Sequence, residues 1–179
     1  KYAVGIYGES SKMENYGYIN IGNNAVGIYV KDSKVTALNH GNISAGTSSA
    51  PKNGAIGIFS EGGKGIENHG NITLYGNDVI GIAGKGVEKV TNKAIITVEG
   101  QNAIGIYATL NTEVDNQGTI NVSGAGSVGI MAPSAKIINN GTINFTNGAE
   151  MTAMDSQYET PELINAGIIK VNGNFKNEG

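Results

Sequence analysis

Two histidines are the side chains of this sequence with the clearest potential for metal chemistry. His40 and His69 each stand in an Asn-His-Gly phrase. If these phrases lie at the same point of adjacent structural repeats, the two imidazoles are about 5 Å apart, which suits a shared metal ion. The same position in the other repeats holds Tyr, Lys, Gln, Asn or Ala. Such variety is typical of an exposed turn, so we expect no metal site and no cofactor.

Carboxylates are the second group that could do chemistry. Polysaccharide cleavage needs two or three carboxylates about 5 to 10 Å apart on one sugar bond, or an acidic calcium site. The aspartates are Asp32, Asp78, Asp115 and Asp155. They fall at different offsets within the repeat described below, so a repeating fold scatters them. Glu14, Glu67 and Asp115 share an offset, but Leu38 and Thr91 occupy it in the repeats between them. We therefore predict that the chain is not an enzyme.

Composition excludes several other functions. All 12 basic residues are Lys, and the net charge is -3. Nucleic-acid binding depends on clustered positive charge and favours the two-pronged guanidinium of Arg, so we expect no nucleic-acid partner. The sequence contains no Cys, which excludes a disulfide framework, thiolate metal sites and a Cys nucleophile.

An internal repeat organises the whole chain and must position any site. The phrase Ala-Val-Gly-Ile-Tyr of residues 3–7 returns with small changes about every 24 residues. The central residues of successive copies are Gly5, Gly27, Gly57, Gly81, Gly105, Gly129 and Ala153. A second phrase, Asn-x-Gly, lies between these copies, and its Asn residues are Asn15, Asn39, Asn68, Asn92, Asn116, Asn139 and Asn165.

Apolar residues alternate with polar ones around both phrases. An Ile follows each Asn-x-Gly phrase at a constant offset, and another apolar residue comes two positions later. Val or Ile flanks nearly every central Gly on both sides, and a further apolar residue precedes each Asn by two positions. A period of two indicates strands with one buried face. The sequence thus predicts three short strands per repeat, with all these apolar side chains pointing inward.

Three strands per repeat, repeated about seven times, predict an all-β fold, a right-handed parallel β-helix (β-solenoid). Its coils stack about 4.8 Å apart, and its handedness follows from the chirality of parallel crossovers. We expect residues 1–179 to form a single β-helix segment of a longer protein. Two places depart from the period: a Ser-, Gly- and Pro-containing stretch at 44–53 predicts a protruding loop, and 155–162 predicts an irregular segment.

The repeated Asn residues predict a structural ladder at one turn. An Asn tolerates a left-handed backbone, and its amide can hydrogen-bond to the Asn of the coils above and below. The Gly that follows relieves the tight turn.

Outward aromatic residues are the first candidate binding surface. Tyr7, Tyr29 and Phe59 share an offset in consecutive repeats, beside small residues such as Ala25 and Gly27 that we also expect to face outward. This stripe could stack on sugar rings or pack on a partner protein. The interpretation that we favour is an aromatic ladder that stabilises the coils.

The loop at 44–53 is the second candidate, because insertions in solenoids map to surface loops that often bind partners. Within it, Ser48, Ser49 and Lys52 are the candidate binding residues.

The two phrases together resemble the repeats of bacterial surface passengers secreted by the type V route. The motifs Gly-Ile-Tyr-Ala/Val and Asn-x-Gly-Thr/Asn-Ile-x-Val carry the resemblance, and residues 103–131 show them best. The pattern is most similar to the large autotransporter adhesins of fusobacteria. This resemblance implies a signal peptide upstream, a membrane contact only through a β-barrel domain outside this chain, and display at the bacterial cell surface.

The resemblance also implies a function in attachment. We expect a rigid stalk that presents surface to a host or bacterial protein or glycan. The alternative is a glycan-binding or polysaccharide-degrading β-helix protein. Because neither end of the sequence carries a polar cap, we also expect self-association, end to end or side by side.

Overall fold

The structure is a computed structural model that describes residues 3–133, 135–146, 152–155 and 163–172. These residues form strands and turns and contain no helix. The strands are β1 Ala3–Glu9, β2 Glu14–Asn15, β3 Ile19–Ile21, β4 Ala25–Ser33, β5 Ala37–Asn39, β6 Ile43–Ala45, β7 Ile56–Gly63, β8 Gly65–Asn68, β9 Ile72–Tyr75, β10 Ile80–Lys85, β11 Lys89–Asn92, β12 Ile95–Glu99, β13 Ile104–Thr109, β14 Glu113–Asn116, β15 Thr119–Ser123, β16 Val128–Met131, β17 Ile137–Asn139, β18 Thr142–Thr146, β19 Thr152–Asp155, β20 Leu163–Asn165 and β21 Ile168–Asn172.

Each strand pairs in parallel with the strand three positions later in the chain. This pairing produces three sheets of seven strands, which together surround one axis. The first sheet contains β1, β4, β7, β10, β13, β16 and β19; the second begins with β2 and the third with β3, each with the same step of three. Between the first and the last strand of each sheet, the chain makes about six full turns around the axis. The predicted parallel β-helix with three strands per coil is confirmed, while its right-handed sense stays a prediction.

The core is a set of aliphatic ladders. Ile72, Ile96 and Ile120, which follow the Asn-x-Gly phrases, are fully buried in the third sheet and pair in register. The described side chains two positions before the repeated Asn residues are buried in or beside the second sheet, among them Ile66 and Val90. β-branched side chains suit these rows because they pack well on a pleated surface. The predicted inward positions of the second and third sheets are confirmed for the described side chains, apart from the partly or well exposed Ile19 and Ile169 of the terminal coils.

The predicted facing of the first sheet is partly wrong. Ile28 and Ile58, which follow the central Gly, point into the core as expected, but Val26 and Ile56, which precede it, lie outside the core cluster. The inward place belongs instead to Ala25 and its equivalents Ala55, Val79 and Ala103, which are members of that cluster.

The central glycines explain this change of facing. A Cβ on Gly57 would lie 2.5 Å from the carbonyl oxygen of Gly81 and 2.8 Å from Cγ2 of Ile72. Each of these glycines is thus pressed between the next coil and the core, and the alternation of side chains breaks there. Gly27 is buried for the same reason and is not a small outward neighbour of the aromatic stripe.

One set of left-handed residues lies at a different corner from the one expected. Asn24, Gly54, Asp78, Asn102 and Gly126, one in each successive coil, have φ values of 50°, 63°, 57°, 54° and 69°. They form the turn that enters the first sheet. The repeated Asn residues from Asn15 to Asn139 have no positive φ, so their predicted left-handed backbone is wrong.

The insertion is a short, exposed turn. Its first two predicted residues, Ser44 and Ala45, belong to β6, and the extra residues 47–51 leave the coil afterwards. Thr47 and Ala50 pair as an isolated antiparallel bridge with two backbone hydrogen bonds of 3.1 Å. Lys52 rejoins the coil by donating its backbone N–H to Tyr75. The predicted irregular segment at 155–162 lies outside the described residues, apart from Asp155 at the end of β19.

Candidate functional site

The repeated Asn residues form a buried ladder of side-chain amides along one side of the core. Each Nδ2 donates to the Oδ1 of the Asn in the next coil, at distances between 2.7 and 3.0 Å. The bonded series runs through Asn15, Asn39, Asn68, Asn92, Asn116, Asn139 and Asn165. Several of these Nδ2 groups also donate to the carbonyl oxygen two residues later, as Asn39 does to Gly41 at 2.9 Å. The ladder is structural, because the residues from Asn15 to Asn139 are buried.

The aromatic stripe exists as predicted on the outward face of the first sheet. The ring centroids of Tyr7 and Tyr29 are 5.3 Å apart and edge-on, and those of Tyr29 and Phe59 are 5.0 Å apart and tilted by 33°. These contacts cover part of each ring face, so the stripe first stabilises the stack of coils. Tyr7 is nevertheless 53% exposed, which leaves an apolar edge available to a partner.

A groove runs along the coils beside this stripe. Its volume is about 630 Å³, and it is lined by Val4, Asn24, Val26, Tyr29, Gly54, Ile56, Phe59, Asp78 and Ile80. The aliphatic members are the residues that precede the central glycines, and the polar members come from the left-handed corner. Sequence reasoning missed this groove because it placed the aliphatic residues in the core. The apolar residue that precedes each central Gly, where the alternation of facing can break, was the signal that could have revealed it.

A row of alternating charges borders the stripe on its other side. Glu9, Lys31, Glu61 and Lys85 occupy equivalent positions in four consecutive coils. Lys85 lies 2.8 Å from Glu61, and Lys31 lies 3.4 Å from Glu9. The hydrogen bond from Lys85, with a second one from the Tyr29 hydroxyl at 2.9 Å, lowers the pKa of the Glu61 carboxyl. The groove, the stripe and this row together form one continuous outward face.

The two histidines lie as close as expected, and their rings are stacked. Their ring centroids are 4.9 Å apart, and His40 also stacks on Tyr16 at 4.9 Å. Because the rings of His40 and His69 are stacked within 25° of parallel, their nitrogens do not converge on one point. His69 Nε2 contacts Glu67 Oε1 at 2.6 Å instead. In the described part of the chain, no group of three or more His, Asp or Glu side chains could hold a metal ion.

The described aspartates are dispersed, as the offsets predict, although Glu113 and Asp115 both contact Lys89. Asp78 accepts a 3.1 Å hydrogen bond from Asn102 at the left-handed corner. Asp115 lies in the second sheet, 3.3 Å from Lys89. Glu67 is held by Lys93 at 2.5 Å, one coil along the axis. Each of the last two is neutralised by a lysine, so neither is an obvious general base.

The candidate residues of the loop lie outside the stripe, and two of them, Ser48 and Ser49, are exposed. Ser48 and Ser49 form the tip of the turn, where Thr47 Oγ1 lies 3.1 Å from Ser49 Oγ. Lys52 is half-buried at the base of the turn. The structure therefore brings Tyr7, Tyr29 and Phe59 together as one surface and leaves the loop as a second one.

These features define a parallel β-helix repeat protein of extended, ladder-stabilised coils. The chain belongs to the family of the BigA third pectate lyase-like domain, whose family model matches residues 3–179. No curated protein and no solved structure gives a significant match. None of the described segments forms a helix that is long and apolar enough to cross a membrane.

Proposed function

We propose that this chain is a surface-exposed passenger segment of a bacterial autotransporter adhesin. In this role it acts as a rigid stalk and presents surface for attachment to host cells or to other bacteria. Membership of the BigA domain family supports the proposal, because BigA is an adhesin of the autotransporter type. The Asn-x-Gly and Gly-Ile-Tyr repeats support it independently by their resemblance to type V passengers.

The observation that carries the stalk role is the unbroken Asn ladder from Asn15 to Asn165. It joins each coil to the next along one side of the core, in addition to the three strand pairings that each coil makes. In a solenoid, stability is the sum of the coil terms and the contacts between neighbouring coils. A continuous ladder therefore resists bending and local opening along the whole length.

The proposal is tested in the full-length protein on its own bacterium. An epitope tag placed in the turn at 47–51 should be labelled by antibody on intact cells, since these residues protrude from the coils. A tag of the same sequence placed within residues 72–75, where Ile72 and Leu74 are buried, should abolish folding and display. If the tag at 47–51 is labelled only after the cells are lysed, surface display is wrong.

A second experiment separates a stalk from a binding surface. Removal of residues 81–104, which make up one coil, should leave attachment by the full-length protein largely intact, because the remaining coils restack. Deletion of residues 47–51 tests the loop with Ser48 and Ser49 in the same assay. If loop deletion abolishes attachment and coil removal does not, the loop is the binding site and the coils are its support.

The groove beside Tyr29 and Phe59 favours a second candidate, a glycan-binding β-helix protein. A groove with apolar walls and a few polar groups is the usual form of a small-ligand site. A triple change of Tyr7, Tyr29 and Phe59 to Ser should then abolish binding to a glycan array without unfolding the protein. Tyr18→Ser is the matched control, because Tyr18 is 68% exposed and lies outside the groove. Release of reducing ends from acidic polysaccharides would indicate an enzyme instead.

A further inference from the structure

Three parallel rows of side chains cover the outward face of the first sheet. The aliphatic row contains Val4, Val26, Ile56 and Ile80, the aromatic row contains Tyr7, Tyr29, Phe59 and Ala83, and the charged row contains Glu9, Lys31, Glu61 and Lys85. The members of each row come from the same four coils and pair in register. The side chains of the charged row are between 33% and 54% exposed.

We propose that two copies of this chain associate through this face with antiparallel axes. The twofold axis runs along the strands, midway between the coils of Lys31 and Glu61. With this symmetry, each row faces the same row of the second copy, and the coils of the second copy run in the opposite order. It follows from the pattern of the rows alone and does not depend on display at the cell surface, so either proposal can fail without the other.

The charged row is self-complementary under this operation. In the order Glu9, Lys31, Glu61 and Lys85, reversal places Glu9 opposite Lys85 of the second copy and Lys31 opposite Glu61. All four facing pairs of the dimer then carry opposite charges. Within one copy, ion pairs join Glu9 to Lys31 and Glu61 to Lys85, whereas none within 4 Å joins Lys31 to Glu61 among the described residues. The dimer supplies that missing pairing.

The two apolar rows also fit the antiparallel arrangement. Tyr7, the most exposed aromatic residue of the face, comes to lie opposite Ala83, the smallest member of its row. Tyr29 lies opposite Phe59, and the aliphatic row meets itself. If the twofold axis ran parallel to the solenoid axis instead, the two copies would be parallel, and the charged row of one copy would face the aliphatic row of the other. Burial of charges against aliphatic side chains is unfavourable, which excludes that orientation.

The size of the face predicts a weak dimer. Four coils and the strand width between the outer rows span about 20 Å by about 17 Å. Two such surfaces bury less than the roughly 1,200 Å² of an ordinary stable complex. Association is therefore expected only at high local concentration, as between neighbouring molecules in a dense layer. Because the facing charges are partly exposed, we also expect it to weaken as salt is raised.

Charge reversal with rescue tests the proposal. The double variants K31E/K85E and E9K/E61K make the charged row uniformly negative or uniformly positive. Each alone should raise the dissociation constant of self-association at least tenfold in sedimentation equilibrium, and an equimolar mixture should restore a heterodimer. The control K64E/K93E makes the same change of net charge at lysines that pair off this face, with Glu88 and Glu67. It should leave association within threefold of the original.

A cross-linking experiment tests the orientation. The chain has no Cys, so single cysteine variants report one position each. With a bis-maleimide that spans the ~10 Å between packed sheets, V4C mixed with I80C should give a cross-linked dimer, whereas V4C alone should not. A V4C homodimer cross-linked as readily as this mixture would contradict the antiparallel register and would overturn the proposal. The proposal would also be overturned if the protein stayed monomeric at all concentrations, or if the mixture of K31E/K85E with E9K/E61K formed no heterodimer. An equal loss of association in the control K64E/K93E would overturn it as well.

Discussion

Asn39 Nδ2 donates a 2.7 Å hydrogen bond to Oδ1 of Asn68, although 29 residues separate the two side chains along the sequence. The neighbouring bond from Asn15 to Asn39 spans only 24 residues and has nearly the same length, 2.8 Å. The extra residues between Asn39 and Asn68 are those of the exposed turn at 47–51. The ladder therefore keeps its geometry because the insertion leaves the coil entirely.

Loss of one Asn from the middle of the ladder should destabilise the whole segment. Asn68→Ala removes two buried hydrogen bonds and leaves Asn39 Nδ2 and Asn92 Oδ1 without their ladder partner. Buried groups left unpaired cost about 1–3 kcal/mol each, so we expect the free energy of unfolding to fall by about 3 kcal/mol in urea titrations. Asn144→Ala is the control, because its 2.9 Å bond to Asn121 lies in a partly buried outward row. Equal losses in both variants would mean that the inner ladder has no special role.

The central glycines should tolerate no side chain. Gly57→Ala forces a methyl group against the Gly81 carbonyl and Ile72, and overpacking of this kind costs about 1–3 kcal/mol. In contrast, Gly22→Ala should be neutral, since a Cβ at Gly22 meets no heavy atom within 4 Å. Thermal unfolding followed by circular dichroism measures both. A neutral Gly57→Ala would show that adjacent coils can separate there at little cost.

One buried serine should be replaceable with a gain in stability. Ser60 is fully buried in the first sheet, and its Oγ has no hydrogen-bond partner, whereas the equally buried Ser33 donates to Ser11 or Val35. Because a buried hydroxyl without a partner costs about 1–3 kcal/mol, Ser60→Ala should stabilise the protein by about 1 kcal/mol. Ser33→Ala should have the opposite sign. Urea denaturation of both variants measures the difference, and a destabilised Ser60→Ala would reveal a partner for this hydroxyl.

Acid should weaken the second sheet through Glu67. The hydrogen bond from Lys93, followed by that from His69, lowers the pKa of the Glu67 carboxyl below its ordinary value of 4.5. A carboxyl with a lowered folded-state pKa contributes stability that is present above the unfolded-state pKa and lost as the pH falls through the folded-state value. The urea midpoint should thus decline below about pH 4.5, and less steeply in Glu67→Gln. Glu99→Gln is the control, since Glu99 is exposed and forms no ion pair in the described segments. An unchanged slope in Glu67→Gln would contradict this assignment.

The ladders could be predicted from the sequence because they depend only on spacing. A residue that returns at the same offset in each repeat must stack on its equivalents, which placed the Asn series, the third-sheet Ile series and the aromatic stripe correctly. The same rule predicted that the aspartates are scattered and that His40 lies close to His69. None of these predictions required the backbone conformation of a turn to be known.

Backbone conformation was the part that spacing could not predict. A central Gly such as Gly57 interrupts the alternation of the first sheet, and a shift of one residue moves side chains to the other face. Ile56 was therefore assigned to the core, and the groove was missed. The charged row was missed for a different reason: each coil contributes only one of its charges, and the alternation of Glu61 with Lys85 is visible only across coils.

The amide ladder also gives the molecule a direction. All six bonds point the same way, from the Nδ2 of one coil to the Oδ1 of the next, from Asn15 toward Asn165. The dipoles of these amides therefore add along the axis, much as peptide dipoles do in an α-helix. Each folded coil presents an unpaired donor that only a coil with an acceptor at the same offset can satisfy. The direction in which successive coils stack is thus set by the polarity of the ladder as well as by the connectivity of the chain.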